Sequence, residues 1–181
     1  MRRWMLVTLW PVVLAPAAPL AAQRAVSLGI AGGVAVPEGD LRRGANTGWT
    51  ALGTLALSTP MQPLGLRLDV AYNRFAFSDE VQATAGSGYQ TVGSATLNAT
   101  YRLPMTNSPM SPYLITGLGA YRMACSLDTG CDGVTRYGWN VGLGTKLLVL
   151  RVRSFLEARY HRTGRGDSGV HFFPVTFGVM L

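Results

Sequence analysis

The chain has 181 residues, of which 14% are charged, and its 16 Lys and Arg outnumber nine Asp and Glu to give a net charge of +7. Its 48% hydrophobic residues exclude a disordered chain, which is poor in apolar residues. The basic residues form no cluster along the sequence, so the charge does not predict a nucleic-acid partner. Glycine is abundant, with 22 residues, against a usual share of about 7%.

The N-terminus has the features of a cleavable secretory signal. Arg2 and Arg3 precede an apolar run over residues 4–14, and the small, proline-broken stretch APAAPLAAQ follows. The apolar run is too short for a spanning helix, which needs about 20 residues. We therefore expect residues 1–23 to be a signal peptide and residues 24–181 to form a single domain.

Eight segments with alternating apolar and polar residues follow one another along the rest of the chain, and turn residues separate them. Such alternation is typical of β-strands with one apolar and one polar face. The predicted strands cover residues 25–36, 49–58, 64–75, 89–103, 113–122, 136–147, 153–162 and 170–181. Each is close to or above the about 9–11 residues that a tilted strand needs to cross a bilayer. No stretch has the pattern of an amphipathic helix.

The connections between the strands differ in length and in charge. The first, third, fifth and seventh hold seven of the nine acidic residues, whereas the second, fourth and sixth hold none. In an up-and-down meander the odd connections share one end of the sheet, which we call the loop end, and the even connections share the other, the turn end. Longer loops at one end and shorter turns at the other are typical of outer-membrane barrels.

The polar face of the strands is rich in Gly, Ser, Thr and Asn and carries few charges. A water-facing surface has about 25–35% charged residues, so this face suits the interior of a narrow barrel better. Eight strands leave an interior that side chains fill, and a bilayer forbids open sheet edges. We therefore predict an all-β, eight-stranded antiparallel up-and-down transmembrane β-barrel. The alternative is a soluble, lipocalin-like barrel with an apolar pocket.

Strand alternation assigns side chains to the two faces. The residues predicted to face lipid are Leu66, Leu68, Val70, Val141, Leu143, Leu156, Ala158, Phe177 and Val179. Those predicted to form a charge network in the lumen are Arg67, Asp69, Arg102, Lys146, Glu157, Arg159 and His161. Aromatic residues near strand ends are expected to form interfacial girdles, namely Trp49, Tyr72, Phe75, Tyr101, Tyr113, Tyr121, Trp139 and Tyr160.

Two features depart from the simple strand pattern. The fifth strand, YLITGLGAYR, cannot be assigned a phase from its alternation. Pro174 lies inside the last strand and cannot donate to a ladder, which suggests a local bulge.

Cys125 and Cys131 are the only cysteines. After a signal peptide, such a pair predicts one disulfide in an oxidising compartment. A metal site is the alternative, and Asp128 and Asp132 are near, but no His is. We therefore predict a disulfide and no metal site.

The segments GWNVGLGTKLLV, SFLEARYHR and HFFPVTFGVML resemble the last three strands of small outer-membrane β-barrel proteins of the OmpA/OmpX type. The resemblance covers residues 24–181 in strand pattern and is sharpest over residues 137–181. It implies a Gram-negative outer membrane, contact with outer-membrane lipid and lipopolysaccharide, and insertion by the barrel-assembly machinery. The family usually ends on an aromatic residue, whereas this chain ends on Leu181, with Phe177 four residues earlier.

These features predict a non-enzymatic outer-membrane barrel with a structural role or a role in surface contact, such as adhesion. We expect a monomer without a cofactor or catalytic residues. A narrow ion-conducting pore, a lipid A-modifying enzyme and a soluble periplasmic binder are the alternatives. His161 and Thr163 match the His–x–Ser pair of lipid A deacylases poorly, because the third residue is Thr. The integrin-binding sequence within GRGDS, residues 164–168, also reads as a glycine-rich hairpin loop.

Overall fold

A computed structural model describes residues 25–58, 63–105, 109–126, 133–164 and 169–181. Eight strands form where the sequence predicts them, and their ends differ from the predicted ones by at most four residues. The elements are β1 Ala25–Glu38, α1 Asp40–Gly44, β2 Gly48–Ser58, β3 Leu64–Ala76, α2 Asp79–Ala85, β4 Tyr89–Arg102, β5 Ser111–Ser126, β6 Val134–Val149, β7 Val152–Thr163 and β8 Val170–Met180. The predicted signal peptide, residues 1–23, lies outside the described residues.

Each strand pairs antiparallel with the next, and β1 pairs with β8, so the sheet closes into a barrel. The predicted all-β, eight-stranded up-and-down barrel is therefore confirmed. Closure gives each strand a partner on both sides, and only such a sheet leaves no row of unpaired backbone groups at an edge.

Two odd connections contain short helices that the sequence analysis did not predict. α1 has five residues and α2 has seven, so neither is long enough for a helical pattern to repeat. α1 buries Leu41 at the loop end of the barrel. In the ranges that the structure describes, no helix has the length and hydropathy needed to cross a membrane.

The outer wall of the barrel carries the apolar side chains. Ile30 is 64% exposed, Val70 60% and Leu143 64%, which is the reverse of a soluble barrel, where such residues fill the interior. The structure places all nine residues predicted to face lipid on this wall, where seven are exposed and the small Ala158 and Val179 are half-buried. The soluble, lipocalin-like alternative requires the opposite arrangement of faces.

The structure resolves the phase of the fifth strand and corrects the expected aromatic girdles. In β5, Tyr113 and Tyr121 point into the lumen and are buried, whereas Leu118 faces outward with 70% of its surface exposed. Phe75 is also fully buried, because it lies three residues from the outward-facing Tyr72 and three is an odd step along a strand. These three aromatic residues therefore fill the lumen and do not belong to a girdle.

Pro174 does not cause a bulge. The register between β7 and β8 is the same on both sides of it, with Ala158 opposite Val175 and His161 opposite Phe172. Only the pairing of residues 159–160 with 173–174 is missing from this ladder, whereas Ala35 of β1 pairs with Pro174. The missing N–H of proline thus interrupts the ladder to β7 without inserting an extra residue.

The assignment of the two faces can be tested at Ala158. If the outer wall meets lipid, Ala158→Arg is expected to cost about 2–4 kcal/mol, the penalty of a cation near the bilayer midplane. Ala158→Leu is the matched control and should leave stability unchanged or slightly raised. Urea midpoints of variants refolded into lipid vesicles measure both effects. If Ala158→Leu instead lowers stability and Ala158→Arg does not, the assignment of the two faces is inverted.

Candidate functional site

Four charged side chains meet in the middle of the lumen, and we call them the charged ring: Arg67 and Asp69 of β3, and Glu157 and Arg159 of β7. Arg67 Nε lies 2.8 Å from Asp69 Oδ1, and Arg67 Nη2 lies 2.8 Å from Glu157 Oε1. Arg159 Nη2 lies 2.6 Å from Asp69 Oδ2, and its Nε donates to Glu157. Each arginine therefore contacts both carboxylates, and the four charges cancel.

The strand order explains why these residues meet. β3 and β7 are four strands apart in an eight-stranded barrel, so they face each other across the lumen and run in the same direction. β3 presents a base and then an acid two residues later, whereas β7 presents an acid and then a base. Arg67 therefore faces Glu157 at one level and Asp69 faces Arg159 at the next. The four groups form a two-by-two checkerboard of opposite charges.

Neutral groups complete the hydrogen bonds of the two carboxylates. Tyr113 Oη donates to Glu157 Oε2 over 2.7 Å, and Asn98 Nδ2 donates to Asp69 Oδ2 over 2.9 Å. Asn140 Nδ2 in turn donates to Asn98 Oδ1 over 2.8 Å. Glu157 and Asp69 are each only 2% exposed. Burial of an ionised carboxylate without such partners is very costly, and the charges and the amides form one hydrogen-bonded network.

A glycine of β6 makes room for one arginine of the ring. A Cβ atom at Gly142 would lie 2.3 Å from the backbone oxygen of Ala158 and 2.8 Å from Arg159 Cγ, closer than such atoms normally approach. The glycine-rich polar face of the strands therefore provides space for long charged side chains inside a narrow barrel.

Three residues predicted for the lumen network lie outside the charged ring. Arg102 ends β4 and Lys146 lies near the end of β6, and both are exposed at the turn end. His161 is buried on the loop side of the ring, where its Nδ1 lies 3.0 Å from Tyr121 Oη and its ring stacks on Phe172 at 4.8 Å. Alternation predicts the face on which a side chain lies but does not predict which residues meet at one depth.

The loop end of the lumen is filled by apolar side chains. Phe75, Tyr121 and Phe172 pack edge to face, with ring centroids 6.0 and 6.5 Å apart, and α1 adds Leu41 from above. The whole cluster consists of Ala35, Leu41, Ala45, Phe75, Val92, Tyr121, Met123 and Phe172. This cluster was not predicted from the sequence, because Phe75 and Tyr121 were expected in the aromatic girdles.

The space between the apolar cluster and the charged ring is small. A cavity of about 20 Å³ lies there, lined by residues such as Asn73, Thr96 and His161. One water needs about 10–15 Å³ on this measure, so the cavity is too small for a hydrated ion. The cavity has room for about one water beside the charged ring.

The pair His161 and Thr163 does not form an accessible site. His161 and Thr163 both point into the lumen and are at most 5% exposed, so neither is accessible to a lipid substrate. No group of three His, Cys, Asp or Glu in the described ranges is arranged to hold a metal ion. Cys131 and residues 165–168 lie outside the described residues, so the disulfide with Cys125 and a role for GRGDS remain predictions.

Solved structures of outer-membrane barrels have a similar shape. Neisserial surface protein A has a TM-score of 0.65 at 20% identity, over 86% of this chain and 96% of that chain. Ail of Yersinia pestis, in complex with the heparin analogue sucrose octasulfate, has a TM-score of 0.57 at 16% identity, over 88% and 99%. A major outer membrane protein from Thermus thermophilus has a TM-score of 0.57 at 11% identity, over 86% and 98%.

At these identities the likeness shows the fold alone. No protein-family model matches the sequence, and the search of curated proteins found no match. The three structures named above are outer-membrane proteins, while membership in the OmpA/OmpX-type family stays an expectation from the sequence.

The charged ring makes a direct prediction for stability. Glu157→Leu leaves Arg67 without its partner across the lumen, and removal of one member of a buried ion pair costs about 3–5 kcal/mol. Glu38→Leu is the matched control, because Glu38 is an exposed acid at the loop end, and it should change stability by about 0.5 kcal/mol or less. Urea titration of protein refolded into vesicles compares the two. Equal effects at both positions would contradict a stabilising ring.

Proposed function

We propose that this chain is a non-enzymatic outer-membrane barrel with a closed lumen, which acts in membrane structure and in surface contact through its loop end. The observation that carries the proposal is the distribution of polarity: an apolar outer wall around an interior of paired charges. Such a wall is favourable only against lipid, because a large exposed apolar surface in water promotes aggregation. The predicted location, the bacterial outer membrane, follows from this wall and from the signal-like N-terminus.

The interior argues against the pore. The charged ring binds all four of its charges to one another, and the apolar cluster fills the lumen toward the loop end. An ion passing through would have to break these pairs and shed its water. These contacts therefore support a barrel with a closed lumen better than they support a narrow ion-conducting pore.

The outer wall supports contact with anionic lipid at the loop end. Trp49 packs against Tyr72 at 5.5 Å, and Trp139 packs against Tyr160 at 5.8 Å, as expected for aromatic residues at a membrane interface. Two residues further toward the loop end, Tyr72 is followed by Arg74 and Tyr160 by Arg162. We infer that these outward arginines bind the phosphates of lipopolysaccharide or another outer-membrane lipid, since guanidinium groups match phosphate geometry.

The proposed role in surface contact rests on the acidic residues of the loop end and on the similar shape of two known outer-membrane proteins. The loop end carries seven of the nine acidic residues, and two proteins of similar shape are Neisserial surface protein A and Ail, the attachment invasion locus protein of Yersinia pestis. We propose that the odd connections of this chain present a contact surface. Insertion by the barrel-assembly machinery, a monomeric state and the Cys125–Cys131 disulfide belong to this proposal.

Cell fractionation combined with planar-bilayer recording tests the proposal. We expect the protein in the outer-membrane fraction, resistant to carbonate extraction, with a heat-modifiable band on gels and no discrete conductance steps. Carbonate extraction without detergent would instead indicate a soluble binder. Conductance steps that change on Glu157→Gln would indicate a pore through the charged ring, and an altered lipid A mass in cells that express the protein would indicate an enzyme.

A further inference from the structure

The connection between β6 and β7 exposes apolar side chains at the turn end of the barrel, which the proposed function does not use. We call residues 147–153, LLVLRVR, the β6–β7 tip. Leu148 is 65% exposed, Leu150 93% and Val152 46%. Residues of short turns are usually polar, and contiguous exposed apolar residues mark contact with a protein or a membrane. The tip therefore differs from an ordinary water-facing turn.

The backbone of the tip does not favour the side chains that it carries. Val149 pairs with Val152, so Leu150 and Arg151 are the two residues of the turn. Both have a positive φ, 48° and 69°. Two-residue hairpin turns with positive φ at both positions strongly prefer Asn-Gly or Asp-Gly, and a bulky residue there is uncommon. Strained positions are typical of functional sites, which indicates a role for these two side chains outside the turn itself.

The length of β6 places the tip at the edge of the apolar outer wall. Trp139 lies in the aromatic pair near the loop end, and Val149, on the same face, is ten residues further along β6. A rise of about 3.4 Å per residue and a tilt of about 35–45° separate the two by about 24–28 Å along the barrel axis. The apolar band of outer-membrane barrels is about 25 Å tall. Val149 therefore ends the lipid-facing wall, and Leu150 and Arg151 reach the level of the lipid headgroups.

The charges of the tip match this level. Arg151 and Arg153 are exposed on either side of Val152, and the even connections at this end hold no acidic residue. An exposed arginine needs no partner in water, so the charge matters only together with the apolar tip beside it. An apolar residue next to a guanidinium fits the boundary between acyl chains and phosphates, because long basic side chains reach from apolar surroundings to the headgroups.

We propose that the β6–β7 tip binds the phospholipid surface of the inner leaflet, with Leu150 inserted beside the acyl chains and Arg151 on the lipid phosphates. This rests on the proposed function, since it requires a barrel in a bilayer, where short turns lie on the periplasmic side. Lipid is favoured over a second copy or another protein because the tip continues the outer wall through Val149 without a break. Contact with lipid also offsets the unfavourable backbone of the turn.

Lipid quenching of a fluorescent label tests the position of the tip. Leu150→Cys is labelled with a nitrobenzoxadiazole dye in a Cys125→Ser, Cys131→Ser background, and the protein is refolded into vesicles of phosphatidylcholine and phosphatidylglycerol with brominated acyl chains. We expect strong quenching, several-fold above that of a label at Glu80→Cys. Glu80 is the matched control, because it is an exposed residue of α2 at the loop end.

A third label separates failure of this inference from failure of the proposed function. Leu143 lies in the middle of the outer wall and is 64% exposed, so a label at Leu143→Cys should be quenched in any membrane-spanning barrel. If Leu143 is quenched and Leu150 is not, the barrel spans the bilayer and the proposal for the tip is overturned. If neither is quenched, the proposed function fails as well. An unquenched Leu150 label whose emission shifts with protein concentration would indicate a second copy on the tip and would also overturn the proposal.

A turn replacement keeps the test open if the labelled Leu150 variant lacks the heat-modifiable band of a folded barrel. Leu150→Asn combined with Arg151→Gly gives the turn its preferred sequence and removes both proposed lipid contacts. Relative to the wild type, its urea midpoint should rise in micelles of an uncharged detergent without phosphate, and should fall in the phospholipid vesicles. An equal change of the midpoint in micelles and vesicles would show that only the backbone of the turn matters and would overturn the proposal.

Discussion

The pairing of Arg67, Asp69, Glu157 and Arg159 across the lumen is the constraint on which the rest of the barrel depends. A sheet that turns its apolar face outward must bury its polar face, and eight strands leave too little space for bulk water there. Buried charges are tolerated only when they are paired and hydrogen-bonded. The checkerboard of β3 and β7 meets this condition with no net charge, and Tyr113 and Asn98 supply the remaining hydrogen bonds.

The charged ring separates the two ends of the lumen, and these ends differ in polarity. On the loop side, aromatic residues and Leu41 of α1 close the barrel. On the turn side, polar residues and bases such as Lys146 line a small cavity of about 40 Å³. A lumen filled by paired charges and apolar side chains supports the proposal that the barrel acts through its surfaces.

Much of this architecture follows from sequence alternation, because a period of two assigns each side chain to one face. The strand count, the closed barrel and the inward direction of Glu157 and Arg159 were predictable on this basis. The depth of each side chain along the barrel axis was not predictable from alternation. Arg102 and Lys146 were therefore expected in one network with the charged ring, although they lie at the turn end. β5 was not predictable either, because Tyr113 and Tyr121 resemble girdle residues until their register with β4 and β6 is known.

The most direct test of the ring is a double-mutant cycle between Arg67 and Glu157. Arg67→Met and Glu157→Leu each leave a buried charge unpaired, whereas the double variant leaves Asp69 and Arg159 as a matched pair. Urea midpoints in vesicles should therefore show that the double variant is more stable than the sum of the single effects predicts, by about 1–3 kcal/mol. Additive losses would show that the two residues do not stabilise each other and would contradict the central role of the ring.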